Sequence, residues 1–149
     1  MNGKLKEMLI FLLISIALFS GCRQNDFETG IVSSIDRYAS VMSSVPGFPL
    51  EARFPEGEDA SDYICLWETD KGEFLFWGSD WKVGKQGNNA MTTGDVIYWS
   101  TLTEDGILAE NARIDLTVKR ADTGKIVSMT SIVIEYGDDG MFRLGDNPD

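Results

Sequence analysis

The groups in this sequence that can do chemistry are two cysteines, 24 carboxylates and a crowd of aromatic side chains; none of the 149 residues is histidine. Without histidine there is no Ser-His-Asp or Cys-His nucleophile, and no imidazole-ligated zinc or iron. Paired carboxylates can hydrolyse glycosides when a cleft holds them about 5–10 Å apart. Here the acids gather in short runs instead: Glu56, Glu58, Asp59 and Asp62, then Asp138 and Asp139, then Asp146 and Asp149. Such runs read as solvated loop faces. The first run is a loose calcium candidate, offering only oxygen ligands and lacking the spacing of an EF-hand loop. Gly78 to Lys85 has the glycines and lysine of a phosphate loop. However, five residues separate Gly78 from Gly84, and Gln86 stands where a Ser or Thr is required. No catalytic residue and no cofactor is assigned.

The aromatics are concentrated between Tyr63 and Trp99: Trp67, Phe74, Phe76, Trp77, Trp81 and Tyr98 lie inside that stretch. Most of them belong in a core. Yet "FLFW" and "VIYW" are apolar in both phases of a two-residue period, so one set must face outward or lie beneath a loop. Trp77, Trp81 and Tyr98 are the candidate outward set, a platform suited to a sugar ring, a peptide or a protein partner. Trp81 is expected to be the most exposed, because Ser79, Asp80 and Lys82 surround it.

Each cysteine has its own context. Cys65 lies in "DYICLWET", where a small thiol packs well and no cationic cluster is at hand to activate it. Cys22 follows Lys4, Lys6 and an apolar run from Met8 to Phe19. Twelve helical residues rise only about 18 Å, against a hydrocarbon core of roughly 30 Å, so this run is too short for a permanent span. A basic start, a short apolar stretch and small residues make up a secretory signal peptide. Leu18-Phe19-Ser20-Gly21-Cys22 resembles the lipobox of bacterial lipoproteins, with Phe19 where many lipoboxes carry Leu. The resemblance implies removal of residues 1–21 and a diacylglyceryl group on the Cys22 sulfur, often with a third chain such as palmitate on the new amino terminus. Two or more chains hold a protein stably on a bilayer, whereas one holds it marginally. The expected address is therefore the extracytoplasmic side of a membrane, at the cell surface or in the periplasm, with the protein anchored but not spanning. Cys65 is then left without an intramolecular disulfide partner.

The chain after residue 21 carries eleven basic and 23 acidic residues, a net charge of −12. That balance repels nucleic acid and anionic lipid headgroups. Residues 22–47 read as anchor and linker. Phe27, Ile31, Ile35, Tyr38 and Met42 recur at helical spacing, which predicts a short amphipathic helix from about Gly30 to Ser44, stopped by Pro46-Gly47. As a flexible coil the whole segment would lift the domain roughly 25–30 Å off the lipid.

From Phe48 to Asp149 the period changes to two. Short segments such as "YICLWET", "GEFLFWG", "VIYWST", "ARIDLTVKR" and "KIVSMTSIVIEY" are separated by glycine-bearing turns, with a hairpin signature at Ala121-Asp122-Thr123-Gly124. Seven or eight such strands predict an all-β fold, an antiparallel β-sandwich. "GEFLFWG", "GDVIYWST" and "ARIDLTVKRADTGKIV" together resemble the immunoglobulin-like sandwich of uncharacterised Firmicutes lipoproteins, which implies that fold and no activity. The expected core comprises Ile64, Leu66, Phe76, Ile97, Trp99, Leu116, Val118 and Ile132, with a bulge near Ser131 or a strand shared between sheets where the apolar phase slips.

These readings combine into an expected function. The chain is a non-enzymatic envelope lipoprotein, held to membrane lipid through acylated Cys22, whose sandwich binds an envelope protein or glycan. Alternatives are a carbohydrate-binding or carbohydrate-cleaving domain using the tryptophan patch, and a structural accessory subunit of a membrane complex.

Overall fold

The computed structural model describes residues 27–41, 43–77, 83–103 and 106–145. They build an antiparallel β-sandwich. In chain order the strands are β1 (Gly30–Val32), β2 (Phe48–Arg53), β3 (Tyr63–Thr69), β4 (Glu73–Trp77), β5 (Val83–Gly87), β6 (Asn89–Thr92), β7 (Ile97–Ser100), β8 (Leu102–Thr103), β9 (Gly106–Ile107), β10 (Ala112–Arg120), β11 (Ile126–Tyr136) and β12 (Phe142–Leu144). A 3-10 turn, Ala60–Asp62, precedes β3. One sheet has the order β1-β2-β7-β4-β5 and the other β12-β11-β10-β3-β6, with β8 and β9 forming a small separate ribbon. If β1, β2, β7 and β4 are set in the places A, B, E and D, then β3, β10 and β11 fall in C, F and G, the adjacency of an immunoglobulin sandwich. The excursion through β5 and β6 comes after the D place, and β6 returns to the edge beside β3.

The alternation in "ARIDLTVKR" is what makes β10 a central strand. Ala112, Ile114, Leu116 and Val118 are buried while Arg113 and the intervening side chains are not. Cross-strand rows follow from the register: Leu116 opposes Trp67, Val118 opposes Cys65, and Ile114 opposes Ile132. From the facing sheet, Phe48 and Leu50 of β2 meet Trp99 and Ile97 of β7, and Phe74 of β4 completes the row. Trp67 and Trp99 are at most 1% exposed, and both indole nitrogens are satisfied, by Thr92 Oγ1 at 3.0 Å and by the Lys71 carbonyl at 2.8 Å. The 121–124 hairpin forms as expected, with Gly124 at φ +68° and its N–H on the Arg120 carbonyl.

Several expectations are corrected. Residues 30–44 are not helical among those described: Gly30–Val32 is an edge strand on β2, and Tyr38 bridges Phe142 through a reciprocal pair of backbone hydrogen bonds at 3.0 and 2.8 Å. The described helix-spaced side chains do turn inward, with Ile31 and Tyr38 buried and Phe27 and Ile35 packed against the core, while Met42 lies outside the described residues. What draws them in is the open flank of the sandwich, without a helical backbone. The packed structure thus begins upstream of Phe48. In β3 the buried phase is Tyr63, Cys65, Trp67 and Thr69, so Ile64 and Leu66 are only half-buried on the outer face. Phe76 is 46% exposed, because the core row on β4 ends at Phe74. The irregularity in β11 lies opposite Val118 and Lys119, where Val127 is the extra residue, and not at Ser131.

Candidate functional site

Of the three platform residues, Trp77 and Tyr98 are brought together and Trp81 lies outside the described residues. Trp77 ends β4 and Tyr98 is the second residue of β7, and both are half-buried. Leu75 opposes Tyr98, and a two-residue period carries Trp77 to the same outer face. Their rings meet edge to face at 5.9 Å, the arrangement that the aromatic quadrupole favours.

Beside them is a cleft of about 500 Å3, walled by Phe76 and Trp77 of β4, Met91 of β6, and Val96 and Tyr98 at the start of β7. Gln86, Asp95 and the hydroxyls of Thr92 and Thr93 supply its polar groups. The local sequence explains the opening. β5 carries one extra residue where it pairs with Phe74 and Leu75, and glycine opposes Phe76. A Cβ at Gly84 would lie 2.3 Å from the Phe76 ring, so the ring rests over bare backbone. Phe76, Met91 and Val96 are 46%, 63% and 37% exposed, a contiguous apolar rim. Sequence reading missed Phe76, Gln86, Met91, Asp95 and Val96 as cleft residues. The available signal was Gly84, whose missing side chain leaves room for a ring from the neighbouring strand.

No family model, curated protein or solved structure matches the chain.

The acidic run from Glu56 to Asp62 serves the fold at one end of the sandwich. Asp59 caps the 3-10 turn, accepting from the Ser61 backbone N–H at 2.9 Å and hydroxyl at 2.8 Å, which holds its carboxyl below the usual range. Glu58 accepts the Tyr63 hydroxyl, and that bond pushes the phenol up. Among the described residues no three acids or thiols converge on a point that holds a metal, so Glu56, Glu58, Asp59 and Asp62 do not assemble the calcium candidate.

A second polar cluster sits on the outer face of the other sheet. Burial pushes the Asp115 carboxyl up, but hydrogen bonds from Ser131 and Arg113 outweigh it, and the group lies below its ordinary value. Arg113 reaches Asp115 at 2.8 Å through Nε and the Ser131 hydroxyl at 3.0 Å through Nη2. Ser131 donates its hydroxyl to the Asp115 carboxylate that Arg113 also pairs, so the three side chains satisfy one another. Cys65 is buried and unpaired by disulfide; burial pushes its thiol up, away from the thiolate form.

Proposed function

We propose that the protein is an extracytoplasmic lipoprotein, anchored through acylated Cys22, whose sandwich is a non-catalytic binding domain for an envelope component. The observation that carries this reading is the ordered run of basic flank, short apolar stretch and Ser20-Gly21-Cys22 at the head of the chain. Two features of the domain support it. Three of its exposed large apolar side chains, Phe76, Met91 and Val96, share one aromatic-walled cleft, as at binding sites. The described Asp59, Asp115 and Asp139 are each held below the ordinary carboxyl value, whereas a glycosidase acid must be pushed up to hold its proton near neutrality. A Cys22→Ser variant is expected to lose acyl labelling and to leave the membrane fraction. Retention of that variant on membranes, unprocessed, beside a wild type that carries no lipid, would contradict the reading.

A glycan ligand is the second reading, because aromatic walls with one carboxylate and one primary amide suit a sugar ring. Binding of cell-wall glycans that Trp77→Ala weakens would support it. Hydrolysis of any glycan would replace the non-enzyme reading altogether. A structural accessory role in a membrane complex is tested by capture of a stoichiometric membrane partner.

A further inference from the structure

Four residues separate Cys22 from Phe27. Phe27 is already part of the fold: its ring lies 5.0 Å from that of Tyr63 and 6.4 Å from that of Phe54. Two residues on, Thr29 is buried and its hydroxyl donates to Ser128 Oγ at 2.8 Å. A fully extended chain from Cys22 to Phe27 reaches at most about 18 Å. A lipid-bearing Cys22 therefore leaves no room for a stalk, and the end of the sandwich where Phe27 enters must stand next to the bilayer.

Strand register identifies that end. Gly30 opposes Arg53, Arg120 opposes Tyr63, and Ala121 donates its N–H to the Asp62 carbonyl, so all of these lie beside the entry of the chain. The loop at 93–96 is there too, since a Cβ on Gly94 would fall 2.7 Å from the Ala60 side chain. The aromatic cleft opens at this same end, because β4 finishes at Trp77 and β7 starts at Ile97 there. The opposite end carries Lys71, Glu110 and the turn at 137–140.

Resting on the anchor reading, we infer that the occupant of the cleft rim is the surface of the bilayer that holds Cys22, with Phe76, Trp77, Val96 and Tyr98 seated at the headgroup boundary. Amphipathic aromatic rings favour that boundary. A short tether also holds the rim at a high effective concentration against the lipid, so a modest apolar patch is enough. Charge selects the lipid. The acids of 56–62, with Glu28, Asp95 and Asp122, outnumber Arg53, Arg120 and Lys125 at this end, so a zwitterionic surface is accepted and an anionic one is repelled.

The test uses the mature lipidated protein in phosphatidylcholine vesicles, with a single reporter thiol at Val96→Cys or Glu110→Cys and a bulky maleimide as probe. Cys65 is buried and stays silent. Relative to detergent, the thiol at position 96 is expected to react at least about tenfold more slowly on vesicles, and the one at position 110 at an unchanged rate. Phe76→Cys provides the same readout if Val96→Cys fails to fold. Equal rates at both ends, with the acyl mass present on Cys22, would overturn the docking and leave the anchor standing. Absence of acyl mass overturns both. Protection found in native envelopes but missing in vesicles would give the cleft to a protein and overturn the lipid surface as its occupant.

Discussion

Trp99 and Trp77 stand on neighbouring strands of one sheet, yet they do opposite things. Trp99 faces inward with no exposed surface, packs its ring edge to face with Phe142 at a centroid separation of 5.2 Å and anchors its indole N–H on the Lys71 carbonyl. Trp77 lies on the outer face, half-buried, against the edge of Tyr98. Both are large apolar side chains in apolar strands. The difference is their phase in the two-residue period and their distance from the middle of the sandwich. A ring at the centre meets a second sheet, whereas one at the end meets solvent or whatever the end is pressed against.

The sharpest way to break this comparison is to truncate both. Trp99→Ala empties a fully enclosed site and is expected to cost about 3–5 kcal/mol of unfolding free energy, most of what a marginal domain has. Denaturant titration measures it. A next, smaller effect is expected at Gly72, whose φ of +79° and close approach to the Trp99 indole exclude a side chain: an added Cβ would lie 2.6 Å from Nε1. Gly72→Ala is expected to cost about 2 kcal/mol through left-handed strain and displacement of the indole. Loss of both effects would mean that Trp99 is not the keystone of its sheet.

Trp77→Ala should cost less, about 1–2 kcal/mol, since only part of its surface is enclosed. If it proved as costly as Trp99→Ala, the two regions would not differ in the way their exposures indicate. The smallest effect concerns Asp115. Its folded carboxyl lies below the unfolded value of about 3.9, so the stabilisation is fully present above that pH and is lost as pH falls through the folded value. With side chains 42% and 59% exposed at Asp115 and Arg113, the contribution is screened to less than about 1 kcal/mol. Asp115→Asn should flatten that acid limb of the stability curve while leaving the neutral midpoint nearly unchanged.

The inward-facing region was the legible one. In β10 and in the hairpin at 121–124 a single apolar phase and a turn glycine leave no choice, and both formed as read. In β3 both phases are apolar, and the choice of Ile64 and Leu66 over Cys65 and Trp67 went the wrong way. The larger rings at Tyr63 and Trp67 take the interior, and Leu66 is partly covered outside by Thr117 and Met91 on the flanking strands. Residues 27–38 had the right burial with the wrong backbone. Their helical spacing reflects side chains turning into an open flank, and tertiary pairing with Phe142 overrode the local period. The cleft was half legible. Trp77 and Tyr98 were chosen from their strand phase, whereas the exposure of Phe76 depends on its pairing with Gly84 across a bulged strand, and that of Val96 on where β7 starts, neither of which strand phase alone reveals.

One measurement tests the account most directly: the intact mass of the protein extracted from membranes. The account requires a chain beginning at Cys22, lacking residues 1–21 and heavier than its sequence by a diacylglyceryl group, with or without a further acyl chain. A mass equal to an unmodified chain, whether it begins at Met1 or at any later residue, would contradict it.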